Sequence, residues 1–194
     1  MRNAEIKRKT LETDVSIKLD LDGSGQYSIN TSIPFLDHML NLMAKHGLLD
    51  IDIIASGDTN VDYHHLIEDI GLTLGAVINK ASGDRAGIKR YGHAVIPMDE
   101  TLAEVVIDMG GRPYLVYEPM IPNGRIMDIE ISIFEDFFRA LSNNAMMNLH
   151  IMVRHGRDLH HIYEGIFKAF GRALDDAMTL DSRVKGLPTT KGMI

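Results

Sequence analysis

The sequence predicts an α+β fold built from one unit used twice, β-β-β-α-β-α in each half, and three observations predict it. The order of hydrophobic patterns, alternating stretches followed by helical ones, runs over residues 1–88 and again over residues 89–194. A short motif is duplicated: Asp62-Tyr63-His64-His65-Leu66-Ile67-Glu68 and Asp158-Leu159-His160-His161-Ile162-Tyr163-Glu164 both read D-x-H-H-x-x-E. Each copy opens an apolar-periodic segment of helical character. Two halves of this size sit near the lower end of domain length, so the reading is one pseudo-symmetric unit. Two four-stranded sheets, each with one apolar face, would clasp the helices between them.

Taken in order, Ile6–Thr10, Val15–Leu19 and Tyr27–Thr31 alternate or are rich in β-formers and read as strands. The Asp22-Gly23-Ser24-Gly25 turn suggests that the last two form a hairpin. The same turn resembles the start of a calcium-binding EF-hand loop, but Thr31 stands where a bidentate glutamate is needed, so the turn reading is preferred. Pro34 opens a helix through His46, with Gly47 at its exit. A strand follows at Leu49–Ala55, and Asp62 is placed to cap the helix that buries Leu66, Ile70, Leu74, Val77 and Ile78. Residues 80–90 connect the halves. Beyond them come strands at His93–Ile96, Leu102–Asp108 and Tyr114–Tyr117, a helix at Ile131–Leu141, a strand at Leu149–Val153, and a helix burying Ile162, Ile166, Phe167, Phe170 and Leu174. The glycine-bounded tail from Val184 to Gly192 reads as non-helical.

Composition narrows the function classes. A hydrophobic share of 45% and a charged share of 24% suit a globular core, and a net charge of -7 disfavours nucleic acid or an anionic membrane as partner. With 0 cysteines, disulfides, thiolate metal sites and a cysteine nucleophile are excluded together. No signal-peptide-like apolar stretch opens the chain, and no run reaches the ~18 residues of a membrane span, so a cytoplasmic setting is expected.

The duplicated motif points to metal. Successive helical residues turn by about 100°, which places Glu68 between His64 and His65 and lets it join either in one coordination sphere. The adjacent histidines diverge too far to chelate one ion easily, so two ions per pair of motifs are favoured. Imidazole and carboxylate without thiolate suit Mn, Fe, Zn, Co or Ni, with six-coordinate Mn or Fe preferred as carboxylates accumulate. His38 lies on the preceding helix, and aligning the halves puts Asp136 opposite it; both could complete a sphere. His46, His93, His150 and His155 stand singly, as surface or core histidines commonly do. The methionines look like core filling. Arg90, Arg112 and Lys191 lie in glycine- or proline-flanked loops and serve equally as solvated charges or anion ligands.

These residues resemble a known family, the imidazoleglycerol-phosphate dehydratases of histidine biosynthesis. The resemblance runs from Arg8-Lys9-Thr10-x-Glu12-Thr13 to Pro188-x-x-Lys191-Gly192. It includes FLDHML (35–40), DYHHLIEDIG (62–71), RYG (90–92), GGRP (110–113) and NLHI…HHIYEGIFKAFGRAL (148–174). It implies a ribosomal protein S5 domain 2-like fold and a 24-mer built from trimers with sites shared between subunits. It also implies two Mn2+ per active site, held by His38, His64, His65, Glu68, His160, His161 and Glu164. Where many members have a histidine, this chain has Asp136, expected to ligate through oxygen. The implied reaction dehydrates imidazole glycerol phosphate to imidazole acetol phosphate, through a metal-bound imidazolate and a diazafulvene-like intermediate. Glu12, His65 and Glu164 would take catalytic roles, with Glu12 the general acid/base. Arg90, Arg112, Thr189, Thr190 and Lys191 would hold the phosphate, with Glu12, His38 and His46 also near substrate. A dinuclear phosphate-ester hydrolase and a metal-assembled structural shell are the competing readings.

Overall fold

The computed structural model describes residues 2–120, 124–192 and 194. The first half runs β1 (Asn3–Lys9), β2 (Thr13–Asp20), β3 (Tyr27–Asn30), α1 (Pro34–His46), β4 (Asp50–Gly57) and α2 (His64–Ser82). The second runs β5 (Tyr91–Met98), β6 (Thr101–Asp108) and β7 (Tyr114–Glu118), then a short ribbon of β8 (Arg125–Ile126) and β9 (Ile129–Glu130). It finishes with α3 (Ile133–Ala145), β10 (Asn148–His155) and α4 (Leu159–Met178). The strands form two four-stranded sheets of matching order, β1-β2-β4-β3 and β5-β6-β10-β7.

Period-two patterning makes each sheet one-sided. Val15, Ile17 and Leu19 of β2 and Ile51, Ile53 and Ala55 of β4 point inward and are buried, and so do Ala103, Val105, Ile107, Leu149, Ile151 and Val153 in the second sheet. Helix α2 packs on β1, β2 and β4, and α4 on β5, β6 and β10. The helix layers meet crosswise, α1 on α4 and α2 on α3, so each helix pair joins one half to the other. All ten residues expected to be buried on α2 and α4 are in the core.

The expected hairpin of β2 with β3 does not form. Strand β4 lies between them, antiparallel to β2 and parallel to β3. The Asp22–Gly25 turn instead carries the chain past the end of β4, where Asp50 Oδ1 accepts the backbone N–H groups of Ser24 and Gln26 at 2.8 and 2.9 Å. Helix α3 starts two residues later than expected, because Ile129–Glu130 pairs in the ribbon and only then does the chain turn helical.

Gly47 does follow α1, but at φ -87° it is not the left-handed exit residue. Its value is closeness. A Cβ there would meet the Gly171 carbonyl oxygen at 2.8 Å, and one on Gly171 would fall on the Met43 carbonyl oxygen. The other crossing uses the same device, since a Cβ on Gly75 would strike the Leu141 carbonyl oxygen. Backbone therefore touches backbone where the helix pairs cross.

Candidate metal centre and anion cradle

The α1–α4 crossing brings His38 against the second motif copy. His38 Nε2 and His160 Nε2 stand 3.0 and 3.1 Å from the same oxygen, Glu164 Oε1. All three donor atoms lie within 4.8 Å of one another. The two imidazoles are about half exposed while the Glu164 side chain is only 10% exposed. Burial pushes the Glu164 carboxyl up, but the Lys168 ammonium on its other oxygen and the two rings outweigh that and hold it at about 2. It is an anion throughout the neutral range.

The α2–α3 crossing builds the pseudo-equivalent cluster from the first copy. His64 Nε2 lies 3.9 Å from Glu68 Oε2 and His64 Nδ1 lies 4.0 Å from Asp136 Oδ2. The alignment of Asp136 with His38 is thus realised in space, with a carboxylate where the other crossing has an imidazole. This cluster is looser, and one cause is local: the position one turn beyond Glu68 is Leu72, where the other helix has Lys168 to draw its glutamate in.

The second histidine of each copy turns away from the first. The His64 and His65 rings are 6.3 Å apart at 87°, and the His160 and His161 rings 6.4 Å apart at 87°. His65 Nδ1 sits 3.0 Å from Asp58 Oδ2 and 4.0 Å from Glu12 Oε2, forming a third donor group of Glu12, Asp58 and His65. His161 Nδ1 sits 2.8 Å from Glu100 Oε2. Each carboxylate raises the pKa of its histidine, Asp58 ahead of Glu12 for His65 and Glu100 for His161. Glu100 is itself held far below the usual carboxylate range by the backbone N–H of Asp158, by His161 and by the backbone N–H of Arg157.

The residues expected to hold phosphate converge elsewhere. Arg90, Arg112, Thr189, Thr190 and Lys191 line a cavity of about 570 Å³ together with Tyr91, Gly110 and Pro188. Arg90 is already gripped by Asp108, with Nε–Oδ1 at 2.6 Å and Nη2–Oδ2 at 3.0 Å, and it donates to the Pro188 carbonyl at 2.9 Å. Its charge is largely spent on that pair, which also raises its pKa. Arg112 and Lys191 form no ion pair among the described residues, so they carry the cavity's free positive charge. No residue of the histidine clusters lines this cavity. His46 is exposed at the end of α1, its pKa lowered by burial and by Lys168 and Arg172, and it joins none of the donor groups.

The donors fit a divalent cation of intermediate hardness. They offer imidazole nitrogen and carboxylate oxygen only, with two imidazole rings converging on one ionised oxygen in the tighter cluster. Three contributors escaped the sequence reading. Glu100 was findable, since Glu100-Thr101 repeats Glu12-Thr13 ahead of β6 and β2. Lys168 was findable from its i,i+4 spacing to Glu164. Asp58 has no counterpart in the other half and left no signal.

Known proteins resemble this chain over most of its length. The family described as imidazoleglycerol-phosphate dehydratase matches residues 31–174. A protein of that name from Thermodesulfovibrio yellowstonii is 57% identical over 100% of both chains, and one from Clostridium kluyveri is 48% identical over 100% of both. The crystal structure of the Staphylococcus aureus enzyme superposes with a TM-score of 0.83 at 38% identity, covering 92% of this chain and 99% of the other. The Pyrococcus furiosus structure gives 0.84 at 32% identity, covering 97% and 100%.

Proposed function

The chain belongs to the imidazoleglycerol-phosphate dehydratase family, a hydro-lyase family of histidine biosynthesis acting on a phosphorylated imidazole; on that premise we propose that it works with two Mn2+ per active site. The ligands in this reading are His38, His64, His65, Glu68, Asp136, His160, His161 and Glu164. The observation that carries it is the pair of helix crossings, each placing an α1 or α3 side chain against a motif copy from the other half.

The substrate, D-erythro-imidazole glycerol phosphate, must lose the hydroxyl beside its ring and a proton from the next, unactivated carbon, together one water, to give an enol that tautomerises to imidazole acetol phosphate. The bound cations supply a preference for the deprotonated imidazole ring. Glu12 sits at the β1–β2 turn, 56% exposed beside His65, and serves as the general acid/base that takes and returns protons. Arg112 and Lys191 bind the phosphate with the Thr189 and Thr190 hydroxyls, while Arg90 braces the cradle through Asp108. Glu164 stays ionised and orients His38 and His160. His46 stands outside the donor groups and is assigned to the substrate rather than to a cation.

The imidazole-binding clusters and the phosphate cradle share no lining residue. That separation supports sites completed by neighbouring subunits, and the assembly proposed here is a 24-mer built from trimers. No helix among the described residues is long and apolar enough to cross a membrane, which is compatible with the proposed cytoplasmic setting.

The test is ketone formation from imidazole glycerol phosphate before chelation, after it, and after adding Mn2+. Loss on chelation and recovery with Mn2+ is the expected result. Undiminished dehydration by thoroughly chelated protein would contradict the metal role.

A further inference from the structure

The duplicated motif leaves an asymmetry inside each copy. The first histidine turns Nε2 toward the motif glutamate, at 3.1 Å for His160 and 3.9 Å for His64. The second histidine presents Nδ1 to a carboxylate from outside its helix. For His65 that carboxylate is Asp58, on the loop after β4; for His161 it is Glu100, at the β5–β6 turn. These suppliers are not equivalent in the duplication, since Glu100 corresponds to Glu12 rather than to Asp58. Both halves therefore reach the same ring nitrogen by different routes. Neither Nε2 makes a hydrogen bond among the described residues, and that of His161 lies 3.9 Å from Asp99 Oδ2.

A carboxylate can only accept, so the nitrogen facing it carries the proton and the other carries the lone pair. We propose that Asp58 and Glu100 are positioning residues that lock His65 and His161 as Nδ1–H tautomers, leaving each Nε2 unprotonated for a divalent cation. This rests on the proposed metal-dependent function, but it concerns ring tautomers that exist before any metal binds. Glu100 is the better-anchored of the two. Its Oε1 accepts the backbone N–H groups of Arg157 and Asp158 at 3.0 and 2.8 Å, which aims Oε2 at His161.

That anchoring supplies a sharp test, Glu100→Gln. The two amide N–H donors need an oxygen, so the glutamine carbonyl takes the place of Oε1 and its NH2 group faces His161 Nδ1. Nδ1 must then accept, and the ring proton moves to Nε2, the nitrogen meant for the cation. Glu100→Ala removes the constraint without inverting it, while stripping the two backbone N–H groups of their acceptor.

Three measurements on metal-free full-length protein follow: the His161 tautomer by 15N NMR, thermal stability, and Mn2+ affinity by calorimetry. We expect Nδ1–H in the unsubstituted protein and Nε2–H in Glu100→Gln, with Mn2+ affinity in the latter reduced on the order of 10- to 100-fold. Glu100→Gln should also bind Mn2+ more weakly than Glu100→Ala while being the more stable of the two, an order that a merely structural glutamate would not produce. Wild-type Mn2+ affinity in Glu100→Gln, or an Nε2–H tautomer in the unsubstituted protein, would overturn the proposal. If the unsubstituted protein takes up no Mn2+ at all, the metal-dependent function falls with the cation half of this inference, and the NMR arm still decides what Glu100 does to the ring.

Discussion

Glu12 is exposed at a hairpin turn, where a side chain would ordinarily wander, yet the turn around it is tied down. Thr10 Oγ1 accepts the N–H groups of Glu12 and Thr13 at 3.1 and 2.9 Å, and the Glu12 carbonyl accepts from Asp58 N–H at 3.1 Å. The Thr13 hydroxyl and the Arg8 guanidinium both bind the buried Asp69 carboxylate on α2, one residue beyond Glu68. The R-x-T-x-E motif thus becomes intelligible as a clamp that presents one carboxylate to His65. Glu12→Gln should lower kcat on the order of 100- to 10,000-fold while leaving Mn2+ and substrate binding near normal, as steady-state kinetics with calorimetry would show. Near-normal turnover would remove Glu12 from the chemistry. Asp136→Ala should lower Mn2+ occupancy at the open cluster, measured by elemental analysis after dialysis, and unchanged occupancy would dismiss Asp136 as a ligand. At the cradle, Arg112→Ala removes one of the two cavity cations that form no ion pair among the described residues and should raise KM at least about tenfold with a smaller effect on kcat, since a phosphate contact made equally in ground and transition states acts on binding.

The helix crossings turn these residues into clusters, and they depend on Gly75 and Gly171. A Cβ at Gly171 collides with the Met43 carbonyl oxygen, which cannot swing aside as a flexible side chain would. Gly171→Ala should therefore push α1 from α4, with a cost of about 1–3 kcal/mol read by denaturant unfolding. It should also weaken metal uptake at His38, His160 and Glu164, since those donors come from the two helices forced apart. Unchanged stability would mean that the crossing is less tight than described. At this scale the sequence was informative about what is periodic and blind to what is not. Alternation marked the buried residues of β2, β4, β6 and β10, and the 3.6-residue rhythm marked both motif helices. The β2–β3 hairpin misled because turn chemistry reports a local reversal, whereas strand order is decided by which edge β4 enters after α1. Gly47 suggested a helix exit but serves a contact with Gly171, far along the chain, that no local pattern encodes.

In the whole molecule the duplication is used crosswise. The first half lends His38 to the second motif copy, and the second half lends Asp136 to the first, so neither half holds a full donor group at either crossing. Aligning the halves exposed the motif and the place of Asp136, and the helical turn per residue exposed the divergence of its adjacent histidines. It did not expose Asp58, which one half has and the other lacks, nor the capture of Arg90 by Asp108, which joins the start of β5 to the end of β6. The central claim is that these crossed clusters bind the cations on which dehydration depends. It is tested most directly by titrating metal-free protein with Mn2+ while following bound metal and ketone formation in the same samples. Activity should rise with occupancy and level off at about two Mn2+ per chain, in line with the two ions favoured by diverging histidines. Full dehydratase activity at negligible occupancy, or Mn2+ uptake without any gain in activity, would contradict it.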